Sequence, residues 1–221
     1  MQLHTVDISS WTASFRYPNL ISGVQPTLEV PPISTVLGLL NAAAGQYIQH
    51  RALQIGYYFC YDMKTEDVET IYQIDSVNGR PTNSAKSNII RREFLFNTQL
   101  RIYFTDLELA NYFRQPVYPL VLGRMNDLAT VERVSTDDFP KRNVGERIAG
   151  QLVPFRDNYL AGQIQALPKY FSDTFPRRNI GTEPYSIISY QTPVKGICPV
   201  IHDNEFGVDV YLHQLDFSQY D

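Results

Sequence analysis

Residues 53–63 read LQIGYYFCYDM, with a large apolar side chain at every second position. Leu53, Ile55, Tyr57, Phe59, Tyr61 and Met63 point one way, and Gln54, Gly56, Tyr58, Cys60 and Asp62 the other. A period of two marks a strand with one face on a core. The chain therefore has to build a sheet and something to cover it. Leu3 to Phe15 reads as another strand, and the loop Pro18 to Pro32 carries too many breakers for regular structure. The first helix should follow, with Ser34 as N-cap and Val36, Leu37, Leu39, Leu40, Ala43 and Ala44 as its apolar face, running to about His50.

Val68 to Ile74 reads as the antiparallel neighbour of 53–63, across a polar turn at Lys64–Asp67. A breaker-rich loop at 78–88 precedes a strand from Ile89 to Phe104. Asp106 can cap a short helix to Arg114, with Leu107, Leu109, Ala110 and Phe113 inside, before Gln115-Pro116 stops it. Two short strands, Val117–Leu122 and Leu128–Val134, flank the loop 123–127. The order β-α-β-β-α-β predicts an α+β chain of the ferredoxin-like, RRM-type split βαβ pattern over residues 1–140. Residues 141–221 form an irregular β-rich extension, with strands expected at 151–155, 185–191 and 207–213.

The 221 residues are enough for a real core. No apolar run is long enough to cross a bilayer as a helix. The N-terminus MQLHTVDISSW carries no secretory signal, and Cys60 and Cys198 offer neither a disulfide framework nor a CxxC. A cytoplasmic protein is expected. The net charge of -4 argues against a nucleic-acid partner when taken whole. It is unevenly spread, however: residues 80–101 and 141–178 each carry +4, inside acidic surroundings. Aromatic residues reach 13%, which suits either base stacking or strand propensity. Trp11 is a stacking platform or a core residue.

Three segments resemble a known family. VPPISTVLGLLNAAAG (30–45) is similar to the N-terminal signature of the CRISPR-associated Cas-five proteins, within the RAMP superfamily. LGRMNDLATV (122–131) resembles that family's second, Gly-containing signature, and the polar loop 78–88 stands where the family has its thumb hairpin, about residues 76–100. EFGVDVYLHQ (205–214) looks like the closing strand, and the type I-B subtype is the most similar. The resemblance implies a non-catalytic subunit of a type I Cascade complex, which serves CRISPR defence or RNA-guided transposition. Such a subunit grips the 5′ handle of the crRNA and contacts a backbone subunit and the large PAM-recognising subunit. It meets target DNA only indirectly, needs no cofactor or metal, and has no membrane partner.

Candidate RNA-binding residues follow from this. Arg80, Lys86, Arg91 and Arg92 surround the thumb, and Arg91 and Arg92, being adjacent on a strand, should face opposite ways. Gly123 allows close backbone approach, Arg124 and Asn126 add donors, and Asp127 orders the loop or reads a base edge. Ser34 and Thr35 open a helix whose N–H groups can seat a phosphate. The cations of the second block (Lys141, Arg142, Arg147, Arg156, Lys169, Arg177, Arg178) receive no individual roles. The alternative reading is a metal-independent endoribonuclease that matures the precursor RNA. It would need Tyr47 and His50 on one helix face with Lys86 nearby, and the chain has no Lys-His pair.

Overall fold

The computed structural model describes residues 1–20, 23–48 and 52–216. The principal elements are β1 (Gln2–Ala13), α1 (Ile33–Ala44), β2 (Leu53–Val77), β3 (Arg80–Phe104), α2 (Leu107–Asn111) and β4 (Leu128–Asp138). After them come β5 (Gln151–Pro154), β6 (Gln163–Phe171), β7 (Asn179–Ile188), β8 (Val200–Asp203), β9 (Val208–Tyr211) and β10 (His213–Leu215). The architecture is α+β, mostly sheet.

The main sheet runs β10–β2–β3–β1–β4 and ends on Leu120–Val121. Every pairing along that order is antiparallel, with His4 opposite Phe104, Ile55 opposite Phe104 and Gln2 opposite Asp138. The alternation at 53–61 appears as read: Leu53, Ile55, Tyr57, Phe59 and Tyr61 are all buried. They meet Ile33, Val36, Leu37, Leu40 and Ala43 of α1 in the main core, which Leu152, Leu167, Tyr185 and Leu215 join. On the opposite face Leu3, Tyr103 and Phe139 pack against Ile201, Val208 and Val210 of the β8–β9 hairpin. That hairpin is pinned by charge as well. Arg101 donates to Asp7 and Asp203, and the Tyr103 hydroxyl donates to Asp203 at 2.6 Å.

Five expectations change. Lys64–Asp67 is not a turn: β2 continues through it to Val77, and the chain reverses at Asn78-Gly79, with φ of 52° and 75°. Nor is 78–88 a loop, since β3 begins at Arg80 and pairs with β2 along its length. Two consecutive positive φ values suit Asn-Gly and match the twist of the strands they join. Ser34 does not cap α1. Pro32 holds the cap position in an extended conformation and no side chain caps the helix, so Ser34 lies within the first turn. The helix stops at Gly45, short of the predicted end, and His50 lies outside the described residues. The 18–32 segment holds two short pairings, Phe15–Arg16 with Thr27–Leu28 and Val24–Gln25 parallel to Arg91–Arg92. The second helix agrees at its start, where Asp106 accepts from the Glu108 amide, although Leu107 faces solvent.

The stretch of β3 before Leu95 and the stretch of β2 after Lys64 leave the sheet and pair almost entirely with each other, forming a long two-stranded arm. Most of the arm is exposed on both faces.

Candidate nucleic-acid interface

The cleft that gathers the predicted residues opens beside the start of α1. Its volume is about 720 Å³, and its walls include Arg16, Ser34, Thr35, Arg92, Gly123, Arg124 and Arg177. Among the described residues no Asp or Glu lines it. Three things place these groups together. The Tyr57 hydroxyl donates to the Pro31 carbonyl at 2.7 Å and accepts from the Leu152 amide at 2.9 Å, fixing the chain just before α1. Arg92 arrives on β3, and the 123–127 loop arrives between Leu120–Val121 and β4.

That loop is built on Asp127, which is fully buried. Its carboxylate accepts from the Thr12 hydroxyl at 2.6 Å, from the Arg124 amide at 2.9 Å and from the Arg124 guanidinium. Of the two expected roles for Asp127, ordering the loop is the one its contacts serve. Gly123 has φ of +117°, and a Cβ there would stand 1.9 Å from the Ser14 carbonyl oxygen. Only glycine fits so close an approach of two backbones.

The arginines of the cleft differ in how free they are. Arg124 is 15% exposed, donates to Glu69 at 2.7 Å and lies over the Phe94 ring at 5.4 Å. Burial lowers its pKa, but the hydrogen bonds it donates to Asp127 and Glu69 outweigh this and the guanidinium is raised above its ordinary range. Arg92 is 3% exposed at its side chain; Glu69 Oε2 is 3.0 Å from its Nε but off the N–H axis, so Nε makes no hydrogen bond. Burial, and then the neighbouring Arg16, push Arg92 below the ordinary arginine range. Arg16 and Arg177 are exposed and enter no ion pair among the described residues. Arg16 was not singled out from the sequence, being one cation in an ordinary stretch of chain, and Arg177 was named only as one of seven cations in the second basic block. Asn126 is exposed but does not line the cleft.

On the arm, Arg91 and Arg92 do face opposite ways: Arg91 is exposed and Arg92 buried. Arg91 is paired with Glu66 at 3.1 Å. Arg80 and Lys86, farther out, are exposed and have no ion-pair partner among the described residues. In the second basic block, Arg142 pairs with Asp209 and Lys169 with Glu183.

Of the endoribonuclease reading's residues, His50 lies outside the described residues, and Tyr47 and Lys86 are described. Tyr47 packs on Tyr170, ring centroids 5.0 Å apart, in a recess with Asn41, Asp173 and Arg177, and Lys86 is not part of its wall. Burial raises the Tyr47 pKa. Among the described residues no group of three or more His, Cys, Asp or Glu is placed to hold a metal ion, and no helix is long and apolar enough to cross a membrane. Cys60 and Cys198 are free thiols. Trp11 is exposed beside Phe96, so it is not a core residue. A groove of about 640 Å³ along β4, lined by Pro116, Val117, Tyr118 and Val131, contains none of the predicted site residues.

No family model and no curated protein sequence matches the chain. Solved structures do. A chain of a CRISPR RNA-guided surveillance complex superposes with a TM-score of 0.56 at 16% identity, covering 89% of this chain and 91% of the other. A chain of the type III-B Cmr-beta complex bound to cognate target RNA and AMPPnP gives 0.56 at 10% identity, covering 89% and 86%. A CRISPR protein from Archaeoglobus fulgidus gives 0.53 at 11% identity, covering 97% of this chain and 100% of its own. The chain shares the fold of these proteins.

Proposed function

We propose that this chain is an RNA-binding, non-catalytic subunit of a CRISPR effector complex, and that the cleft beside α1 holds the RNA backbone. The observation that carries this reading is the convergence of Arg16, Arg92, Arg124 and Arg177 on one cleft with no acid in its wall. The uncapped start of α1 adds the positive end of a helix dipole and unpaired amides at the same place. Phosphate oxygens are the ligand such a surface favours. The shared fold with subunits of RNA-guided complexes supports the same conclusion.

The finer reading is a Cas-five protein of type I-B that seats the crRNA 5′ handle and bridges the backbone and large subunits. Its support is the pair of sequence resemblances at 30–45 and 122–131, whose residues Ser34, Thr35, Gly123 and Arg124 meet in the cleft. The strand order β2–β3–β1–β4, with helices joining β1 to β2 and β3 to β4, supports the split βαβ description.

The test is binding of single-stranded repeat RNA across a salt series. Arg16→Ala with Arg177→Ala should weaken binding and reduce the log–log salt slope by about 0.7 for each phosphate left without its cation. An unchanged slope removes the cleft from the RNA path. Running the same RNA with the protein in EDTA tests the non-catalytic part, since site-specific cleavage there would establish the endoribonuclease instead.

A further inference from the structure

The hairpin between β6 and β7 reaches the cleft with both of its legs. Phe171 and Arg177 line it, one on each side of the hairpin's tip. Between them stands Phe175, whose side chain is fully exposed. Among the large apolar side chains of the described residues it is the most exposed.

The tip is braced. The Ser172 amide donates to the Arg178 carbonyl at 2.9 Å, and the Arg178 amide donates to Ser172 Oγ at 2.9 Å. The Ser172 and Thr174 hydroxyls lie 2.7 Å apart, and the Thr174 hydroxyl donates to the Pro176 carbonyl at 3.0 Å. Phe175 is thus presented on a closed network and has little backbone freedom to lose when something lands on it. A notch of about 560 Å³ is lined by Phe175 itself together with Pro176, Arg178 and Ile180. Arg177 and Arg178 are both exposed and without ion-pair partners among the described residues.

We propose that this tip is a stacking finger: Phe175 stacks on a nucleobase splayed from the RNA whose phosphates lie in the adjacent cleft, and Arg178 closes over the base in the notch. This rests on the RNA-binding reading and extends it to a site of different chemistry. The Ser172 and Thr174 hydroxyls and the Ser172 and Arg178 amides are already bonded within the tip, which leaves the ring face of Phe175 and the guanidinium plane of Arg178 to make the contact. Every base has a π-face, so the finger accepts any of the four with modest preference. It fixes the RNA's path without reading its sequence.

The experiment uses the full chain and short single-stranded RNAs carrying 2-aminopurine at successive positions, whose fluorescence falls on stacking. With the unaltered protein, quenching should appear at one position. Phe175→Ala should abolish it and weaken binding about five- to a hundredfold, the range that base–aromatic stacking spans. The salt slope should stay as it was, since every phosphate keeps its cation. Phe175→Tyr should restore both signals. An unchanged thermal midpoint for Phe175→Ala, expected for so exposed a side chain, shows that the fold is intact. Retained quenching and affinity in Phe175→Ala overturns the finger and leaves the RNA reading standing. A fall in the salt slope also overturns it, because Phe175 then only props the neighbouring arginines. No RNA binding by the unaltered protein removes both.

Discussion

The arm and the cleft both gather cations, and they differ in where the pairing acids stand. Residues 62–77 of β2 carry five acids (Asp62, Glu66, Asp67, Glu69, Asp75) and one base, Lys64. They lie against residues 80–97 of β3, which carry Arg80, Lys86, Arg91 and Arg92 and one acid, Glu93. The arm is therefore a ribbon with one acidic and one basic strand. In the cleft the arginines come from four separate segments, and the acids that pair with Arg92 and Arg124 (Asp67, Glu69 and Asp127) do not line it. What matters for a polyanion is not how many cations a segment has but where the pairing acids lie. The cleft keeps its field toward the open side, while the inner half of the arm neutralises much of its own internally.

The largest expected effect separates the two regions by their glycines. Gly123→Ala would drive a Cβ into the Ser14 carbonyl at a φ of +117°. Strain at such a φ costs about 1–3 kcal/mol, and the forced backbone shift adds a similar amount. Gly79→Ala, at the arm's turn, meets nothing within 4 Å and bears only the strain of its left-handed φ of +75°, about 1 kcal/mol. Urea unfolding should show a loss for Gly123→Ala several times that for Gly79→Ala. Equal losses would mean that the cleft is no more tightly constructed than the arm.

The same contrast explains what the sequence shows and what it hides. The strand at 53–61 was readable because one of its faces is buried by α1, and burial writes a period of two. Beyond Tyr61 both faces are wet, the period disappears, and the polar residues at 64–67 look like a turn. The real turn carried a local signal, Asn78-Gly79, which needs no burial to be read. The cleft was half legible. Ser34, Thr35, Gly123 and Arg124 lie in segments whose patterns drew notice, and the fold brings them together. Arg16 and Arg177 become site residues only through tertiary convergence, which leaves no mark at either position. Ser34 misled as a cap because Pro32 holds that place through its backbone alone.

Acid should loosen the cleft's support before it touches the arm. His213 is buried, and its Nε2 lies 3.0 Å from the Leu152 carbonyl, next in line to the Tyr57 contact that holds Pro31. Burial first, and then the nearby Lys169, lower its pKa to about 4 from 6.5. The folded protein therefore refuses a proton that the unfolded chain accepts. The stability this contributes is complete above pH 6.5 and is lost as pH falls toward 4, by about 3 kcal/mol in all. Asp203 and Asp209, whose pKa values lie below 3.8 despite burial because of their hydrogen bonds, act only at still lower pH. Unfolding free energies at pH 7, 5.5 and 4 should show the fall, and His213→Asn should flatten it. A slope that persists in His213→Asn would place the sensitivity elsewhere.

The smallest effect concerns the arm's own pairing. Arg91 is 66% exposed and Glu66 45%, so their 3.1 Å contact should contribute less than 1 kcal/mol to stability. A double-mutant cycle on Arg91→Ala and Glu66→Gln measures that coupling directly. Its consequence for RNA is more telling than its size. If Glu66 holds Arg91 back from a polyanion, Glu66→Gln should tighten RNA binding about twofold and steepen the salt slope, while Arg91→Ala changes little. Should Arg91→Ala instead weaken binding as much as the paired Arg16 and Arg177 substitutions, the arm is not self-neutralised. A bound strand would then strip an exposed acid from its partner as readily as it fills the cleft, because screened surface pairs resist so little.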